Sequence, residues 1–306
     1  MKLSIYSGIL DDYSAMGLSE TERLKIIRSC GFDCIDYTCD ESSVSDDWLR
    51  RAQCARAAMD EAGMTPVTSH SPGMGGLAPA QWADRLLAFC WETGIPNTVV
   101  HPCASAGNTR EEFFDVNTRF FRSLIPAAEK HRVGVLIENI GNYADPYYLW
   151  NGADLRELVD RVDHPLVTAC WDVGHANHFF PEHCSQYDSI LALGNKLTML
   201  HVHDNCGYFV DPREHYRIDM HTLPYSARYT CVNYDALLQG LKDVGYAGAF
   251  NFEVTTACRS SRPPFIYKGR EVKTLELPPI EYWKQLHTAL YTLGKYMLES
   301  YDMFDA

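Results

Sequence analysis

The sequence predicts an α/β protein whose strands close into a (β/α)8 barrel, running as one domain over residues 1–306. Three observations lead there. Short apolar strands alternate strictly with amphipathic helices, the pattern of a parallel sheet. The strand–helix units number eight, more than an open doubly wound sheet usually carries. The strands read as continuous apolar runs, as expected of parallel strands covered on both faces. A chain of 306 residues is a length such barrels reach as a single unit.

Taken in order, strands are expected over residues 3–9, 34–39, 66–71, 97–102, 134–139, 167–172, 197–203 and 249–254. Helices are expected over 19–30, 46–62, 78–93, 109–132, 153–162, 186–193, 234–244 and 279–300. The first helix opens with SETE, a capping box, in which Ser19 and Glu22 satisfy each other's backbone N–H groups. CGFD, AGMTP, TGIPN and VGYAG supply glycine or proline stops at helix ends. No GxGxxG follows a strand, so the common dinucleotide fingerprint is missing. Two long loops, 205–233 and 255–278, follow strands seven and eight. They belong to the C-terminal face, where barrels keep their active sites, and loops of this length usually serve as functional lids. The helical C-terminus, Tyr282 to Tyr301, is rich in aromatics and leucines; it fits the barrel's outer ring or a contact with a second subunit in a homo-oligomer.

Composition excludes several classes. The net charge of −13 and pI near 5.3 argue against a surface that attracts nucleic acid or anionic membrane. Eleven scattered cysteines, Cys54, Cys90 and Cys170 inside expected elements and Cys103 next to one, read as reduced thiols rather than a disulfide framework. The N-terminus lacks signal-peptide character, and no apolar run approaches the roughly 18–20 residues of a membrane span. The expectation is a cytoplasmic enzyme without a membrane partner.

Function is written at the strand ends. Strand three ends TSHSP at His70 and strand four VVHP at His101. Strand five ends IEN at Glu138, strand six DVGH at Asp172 and His175, strand seven HVHD at His201 and His203, and strand eight FEV at Glu253. A polar group ending an apolar strand is costly without a partner. Six in succession, from strands that converge on one axis, surround one cavity. A divalent cation accounts for the set. Three carboxylates and an imidazole offer hard oxygen donors plus one nitrogen, and the donors suit Mn²⁺, Mg²⁺, Co²⁺ or Zn²⁺ alike. The ion also offsets the mutual repulsion of Glu138, Asp172 and Glu253. Gly174 is expected to turn the chain sharply after Asp172. Trp171, beside that ligand, and Tyr6 and Tyr37 on strands one and two are expected to line the pocket as sugar-stacking rings.

The order TSHSP, VVHP, IEN, DVGH, HVHD, a later Asp219-Met220-His221 and FEV resembles the sugar isomerase/epimerase superfamily of xylose isomerase-like TIM barrels. That group includes ketose 3-epimerases, inosose isomerases and dehydratases, and endonuclease IV. The likeness spans strands three to eight. It implies one divalent metal held by Glu138, Asp172, His201 and Glu253, with His203 the second choice on strand seven. It implies contacts to a sugar or polyol substrate from His175, and from His70, His101, His203 and His221 around the same mouth. The implied reaction is proton transfer beside a carbonyl through an enediolate stabilised at the metal, Glu138 and Glu253 removing and returning the proton. The chain departs from the ketose 3-epimerases after strand seven, where HVHDNCG lacks their arginine; Arg213, Arg217, Arg228, Arg259 and Arg262 on the two loops are the alternative grips for a phosphate or carboxylate. Two other readings share the scaffold: an inosose-type dehydratase, and an endonuclease IV-like enzyme on abasic DNA with up to three zinc ions.

Overall fold

The computed structural model describes residues 1–103, 109–139, 148–178, 185–205, 207, 219–226, 232–255, 265–272 and 277–305. Its eight parallel strands are β1 (Leu3–Tyr6), β2 (Cys34–Thr38), β3 (Thr65–His70), β4 (Asn97–Val100), β5 (Gly134–Glu138), β6 (Val167–Asp172), β7 (Leu197–Val202) and β8 (Phe250–Phe252). Each pairs with the next, and β1 closes the ring on β8, so the barrel is complete. Around it run α1 (Glu20–Ser29), α2 (Trp48–Ala62), α3 (Pro79–Thr93), α4 (Arg110–His131), α5 (Gly152–Val162), the short α6 (Val173–Asn177), α7 (Gln186–Leu193), α8 (Tyr234–Asp243) and α9 (Ile280–Glu299).

Local chemistry sets these elements. The Ser19 hydroxyl accepts from the backbone N–H of Glu22, whose carboxylate accepts from the Ser19 N–H at 2.8 Å; Thr109 and Glu112 repeat the device on α4. Gly63 and Gly94 end α2 and α3 in the left-handed conformation that glycine adopts freely. α9 lies in the outer ring, burying Trp283, His287, Leu290, Met297 and Leu298. Among the described residues, no helix is long and apolar enough to cross a membrane.

The expected strand one is too long. The chain leaves β1 at Tyr6 and continues as a 3₁₀ helix over Ser7–Met16, which buries Ile9 and Leu10. A second departure lies in the loop after β8. There the two-stranded antiparallel hairpin β9 (Phe265–Tyr267) and β10 (Arg270–Val272) turns at Lys268 and Gly269, both at positive φ. The thiols are free at all seven described cysteines, as expected, though Cys54 on α2 is exposed rather than buried.

Two cores serve different purposes. The larger packs the outward faces of the strands against the helices. The smaller, formed by Val99, Leu136, Cys170, Met199 and Ala249 with Val67 against it, fills the barrel interior. Beyond that apolar plug, two residues further along β7 and β8, the interior is polar. His201 pairs in register with Asn251, and Asn251 with Ser4, so the three share the inward face.

Candidate metal centre

The polar strand ends meet at the C-terminal mouth. Glu138 ends β5, Asp172 ends β6, His201 lies one residue before the end of β7, and Glu253 follows β8. One ligand atom from each of these four lies within 4.8 Å of the others, and all four residues are buried. His201 Nδ1 sits 2.6 Å from Glu138 and 3.2 Å from Glu253. His203 stands apart from this group; its Nε2 is 3.0 Å from the Asp172 carboxylate.

Backbone clamps hold the ring of donors. The Asn139 side chain accepts from the Asp172 N–H at 2.7 Å and donates to the Asp172 carbonyl at 2.8 Å, tying the end of β5 to that of β6. The Asp172 carboxylate caps α6 by accepting from the His175 N–H at 2.6 Å. Gly174 makes no left-handed turn: it lies inside α6, and the requirement for glycine is spatial. A Cβ there would stand 2.0 Å from Cε1 of His203. The IEN and DVGH motifs are thus mechanical as well as chemical. Asp204, the last residue of HVHD, accepts backbone N–H groups from Asn205, Tyr225 and Val232 at 2.9–3.0 Å and so anchors the loop after β7.

Two further histidine groups flank the centre. His70 and His101 approach Glu138 at 3.7 and 2.7 Å. On the other side His175, His203, Asp219 and His221 cluster, with Asp219 3.1 Å from His175 and 2.8 Å from His221. His203 and His221 stack with ring centroids 3.8 Å apart.

The electrostatics are those of desolvated acids balanced by imidazoles. Burial alone would raise the Glu138 carboxyl, but His201 and His101 outweigh it and hold Glu138 well below the usual carboxylate range. Glu253 is likewise held low against burial, by His201 and His221. His221 rises to about 9: burial opposes the shift, and Glu253 and Asp219 overcome it. The set fits a divalent ion: three carboxylates and one imidazole, all buried, offer ligand atoms within 4.8 Å of one another.

Two sequence expectations are corrected. Trp171 does not line the mouth. Asp172 faces inward, so its neighbour in the strand faces outward, and Trp171 lies fully buried against the helices with its indole N–H donating to Gln186 at 2.9 Å. Tyr37 is outward for the same reason, its hydroxyl donating to Glu20 at 2.5 Å. Tyr6 does end β1 on the inward face and is half-buried, its hydroxyl pushed up to about 12 by burial. Arg213, Arg217, Arg228, Arg259 and Arg262 lie outside the described residues. One residue was missed. Asp36, in the middle of β2, is fully buried on the inward face, 3.5 Å from Nε2 of His201. Its signal was an acid inside the apolar run CIDY.

A family profile described as "Xylose isomerase-like TIM barrel" matches residues 24–284. An uncharacterised protein of Methanocaldococcus jannaschii is 25% identical over 158 residues, 51% of this chain and 49% of that protein. The chain thus spans about half the length of that relative. Among solved structures, a D-tagatose 3-epimerase-like protein superposes with TM-score 0.67 at 19% identity, covering 99% of this chain and 98% of that one. D-psicose 3-epimerase from Clostridium cellulolyticum H10, solved with D-tagatose, gives 0.69 at 15% identity over 97% and 99%. The IOLI protein, solved with a bound zinc atom, gives 0.67 at 16% identity over the whole of both chains.

Proposed function

The chain belongs to the family of xylose isomerase-like TIM barrels, and from that premise we propose that it is a divalent-metal-dependent isomerase or epimerase of a sugar, sugar phosphate or inosose. The observation that carries the reading is the convergence of Glu138, Asp172, His201 and Glu253 within 4.8 Å at the barrel mouth. Neighbours of the same fold act on ketoses, and one holds zinc. A bound ion would supply Lewis-acid stabilisation of negative charge on a substrate oxygen beside the carbonyl.

The protein's own groups divide the remaining work. Asp172 accepts from the His175 N–H and from His203, which orients its carboxylate for the ligand role and leaves it poorly placed to move protons. Glu138 on β5 and Glu253 after β8 stand three strands apart around the ring, so they address a substrate from different sides. One removes the C–H proton and the other returns it, to the opposite face for epimerisation or to the adjacent carbon for isomerisation. His175, His221 and His101 line the same mouth and would hold substrate hydroxyls. The loops over 205–233 and 255–278, expected as lids, lie largely outside the described residues.

A second reading, an endonuclease IV-like enzyme on abasic DNA with up to three zinc ions, is favoured by the two flanking groups, His70–His101–Glu138 and His175–His203–Asp219–His221. The net charge of −13 weighs against a phosphate-rich partner. One set of experiments separates them. Metal-loaded protein is offered ketoses, inososes and sugar phosphates in D₂O, with deuterium incorporation read by NMR; abasic-site duplex is offered in parallel with zinc. Deuterium exchange at a carbon next to a carbonyl is expected. Incision of the duplex without sugar turnover would overturn the proposal, and an enone absorbance with an inosose would move it to dehydration.

A further inference from the structure

We propose that Asp36 is a positioning residue for His201: it holds the imidazole with Nε2–H directed into the barrel, so that Nδ1 is presented to the carboxylates. The proposal rests on the central-ion reading above and deepens it. Asp36 is 0% exposed, and neither carboxylate oxygen has a hydrogen-bond partner of good geometry. Its nearest charged neighbour is Nε2 of His201 at 3.5 Å. A carboxylate stripped of water this thoroughly is expensive to keep unless a partner compensates it.

The ring geometry supplies the compensation. The two nitrogens of an imidazole point to opposite sides, and His201 directs Nδ1 at Glu138, 2.6 Å away. Its Nε2 therefore faces Asp36. A histidine that ligates a metal through one nitrogen needs the other protonated and hydrogen-bonded, which fixes the tautomer and raises ligand basicity. Asp36 does not join the group of four that surrounds the central position. Its influence passes through His201.

The barrel interior is built around this contact. Beside His201 in register lie Asn251 and then Ser4, whose buried side-chain polar atoms also lack partners. The apolar part of the interior is Val67, Val99, Leu136, Cys170, Met199 and Ala249. Either ring flip or loss of the Asp36 charge would leave Nε2–H with a weaker acceptor.

The test uses Asp36→Asn, which keeps the shape and removes the charge. Zinc affinity by chelator competition should fall about 10–100-fold, the usual effect of losing a partner of a ligating histidine. Histidine-selective ¹⁵N NMR on the parent protein should show a low-field, slowly exchanging Nε2–H proton on His201, and that proton should move upfield in the variant. Zinc affinity within twofold of the parent would overturn the proposal, as would zinc on Nε2 of His201. If Asp36→Asn does not fold, the parent spectrum decides alone: absence of the low-field Nε2–H proton overturns it. If the parent takes up no metal at all, the central-ion reading falls. The His201 spectrum of the metal-free protein then still decides for or against Asp36.

Discussion

Gly174→Ala is the sharpest test of how the site is assembled, because two effects predict opposite signs. Gly174 lies within α6, and alanine in a helix is worth about 0.5–1 kcal/mol over glycine. Against this, the new Cβ would stand 2.0, 2.4 and 2.5 Å from three ring atoms of His203. That ring is hard to displace. It is fully buried, stacks on His221 at 3.8 Å, and holds the Asp172 carboxylate at 3.0 Å. Overpacking of this kind costs about 1–3 kcal/mol, and loss of a hydrogen bond to a charged group a further 1.5–3. The net expectation is a loss of about 1.5–5.5 kcal/mol. With an unfolding entropy of about 2.1 cal/mol/K per residue over 306 residues, Tm should drop by roughly 2–9 °C. Thermal and urea unfolding of metal-free protein measure this directly. The double variant with His203→Ala identifies the cause, since removing the ring should abolish the penalty and restore the helix gain. A Gly174→Ala protein as stable as its parent, or more so, would refute the reasoning.

Further outcomes are expected. Glu138→Gln and Glu253→Gln should each lower turnover at least about 10²-fold while thermal unfolding remains cooperative; near-parental rates in either would remove that residue from proton transfer. Asp172→Ala should lose metal by elemental analysis, and unchanged content would dismiss it as a ligand. His287, buried on α9, has a pKa lowered to about 4 because burial penalises its charge. The unfolded chain therefore takes up this proton first, and stability should fall as pH drops from about 6.5 to about 4, a slope that His287→Phe should remove. His221 runs the other way. Its pKa is raised to about 9, so in metal-free protein its contribution is present below pH 6.5 and lost as pH rises towards 9. His221→Ala should flatten that arm of the stability profile.

Strands three to eight were legible because each is an apolar run with a His or a carboxylate at its end, and that coupling of burial to polarity identifies a barrel mouth. What was misread shares a physical cause: side-chain direction. Trp171 was assigned to the pocket for standing beside Asp172 and Tyr37 for lying on strand two, although the period of two turns each neighbour of an inward residue outward. The alternation was available in the sequence for Trp171, since Asp172 fixes the parity. Asp36 escaped attention because it sits in the middle of β2, away from the strand ends that drew notice. Its partner, His201, is contributed by β7, far off in the chain. The role of Gly174 was equally hidden, since the atom that excludes a Cβ belongs to His203. Residues 7–9, the start of the 3₁₀ helix over Ser7–Met16, were read as strand because the apolar Gly8–Ile9 continues the run of β1; packing against the barrel decides their conformation. The hairpin turning at Lys268 and Gly269 carries only a weak turn signal, because lysine seldom occupies a positive-φ position.

The choice of counter-charge separates a metal centre from an ordinary buried ion-pair network. Among the described residues, every ion-pair partner of Glu138, Asp172 and Glu253 is a histidine. A network serving stability alone gains most from arginine, whose planar fork pairs carboxylates and never gives up its charge. Arginine at these positions would compete permanently with any cation. Histidine balances the acids while the site is metal-free and yields its proton when an ion arrives. Binding should therefore release protons. Burial opposes protonation of His201, but Cys170, Glu253, Glu138 and Asp36 outweigh it and raise the imidazole well above its ordinary value in the metal-free protein. Metal affinity should accordingly rise with pH through the neutral range and weaken as the medium is acidified. Titration of zinc into weakly buffered protein, followed with a pH indicator, reads the release directly. Binding without proton release, at an affinity independent of pH, would mean that the ion sits somewhere other than among these histidines.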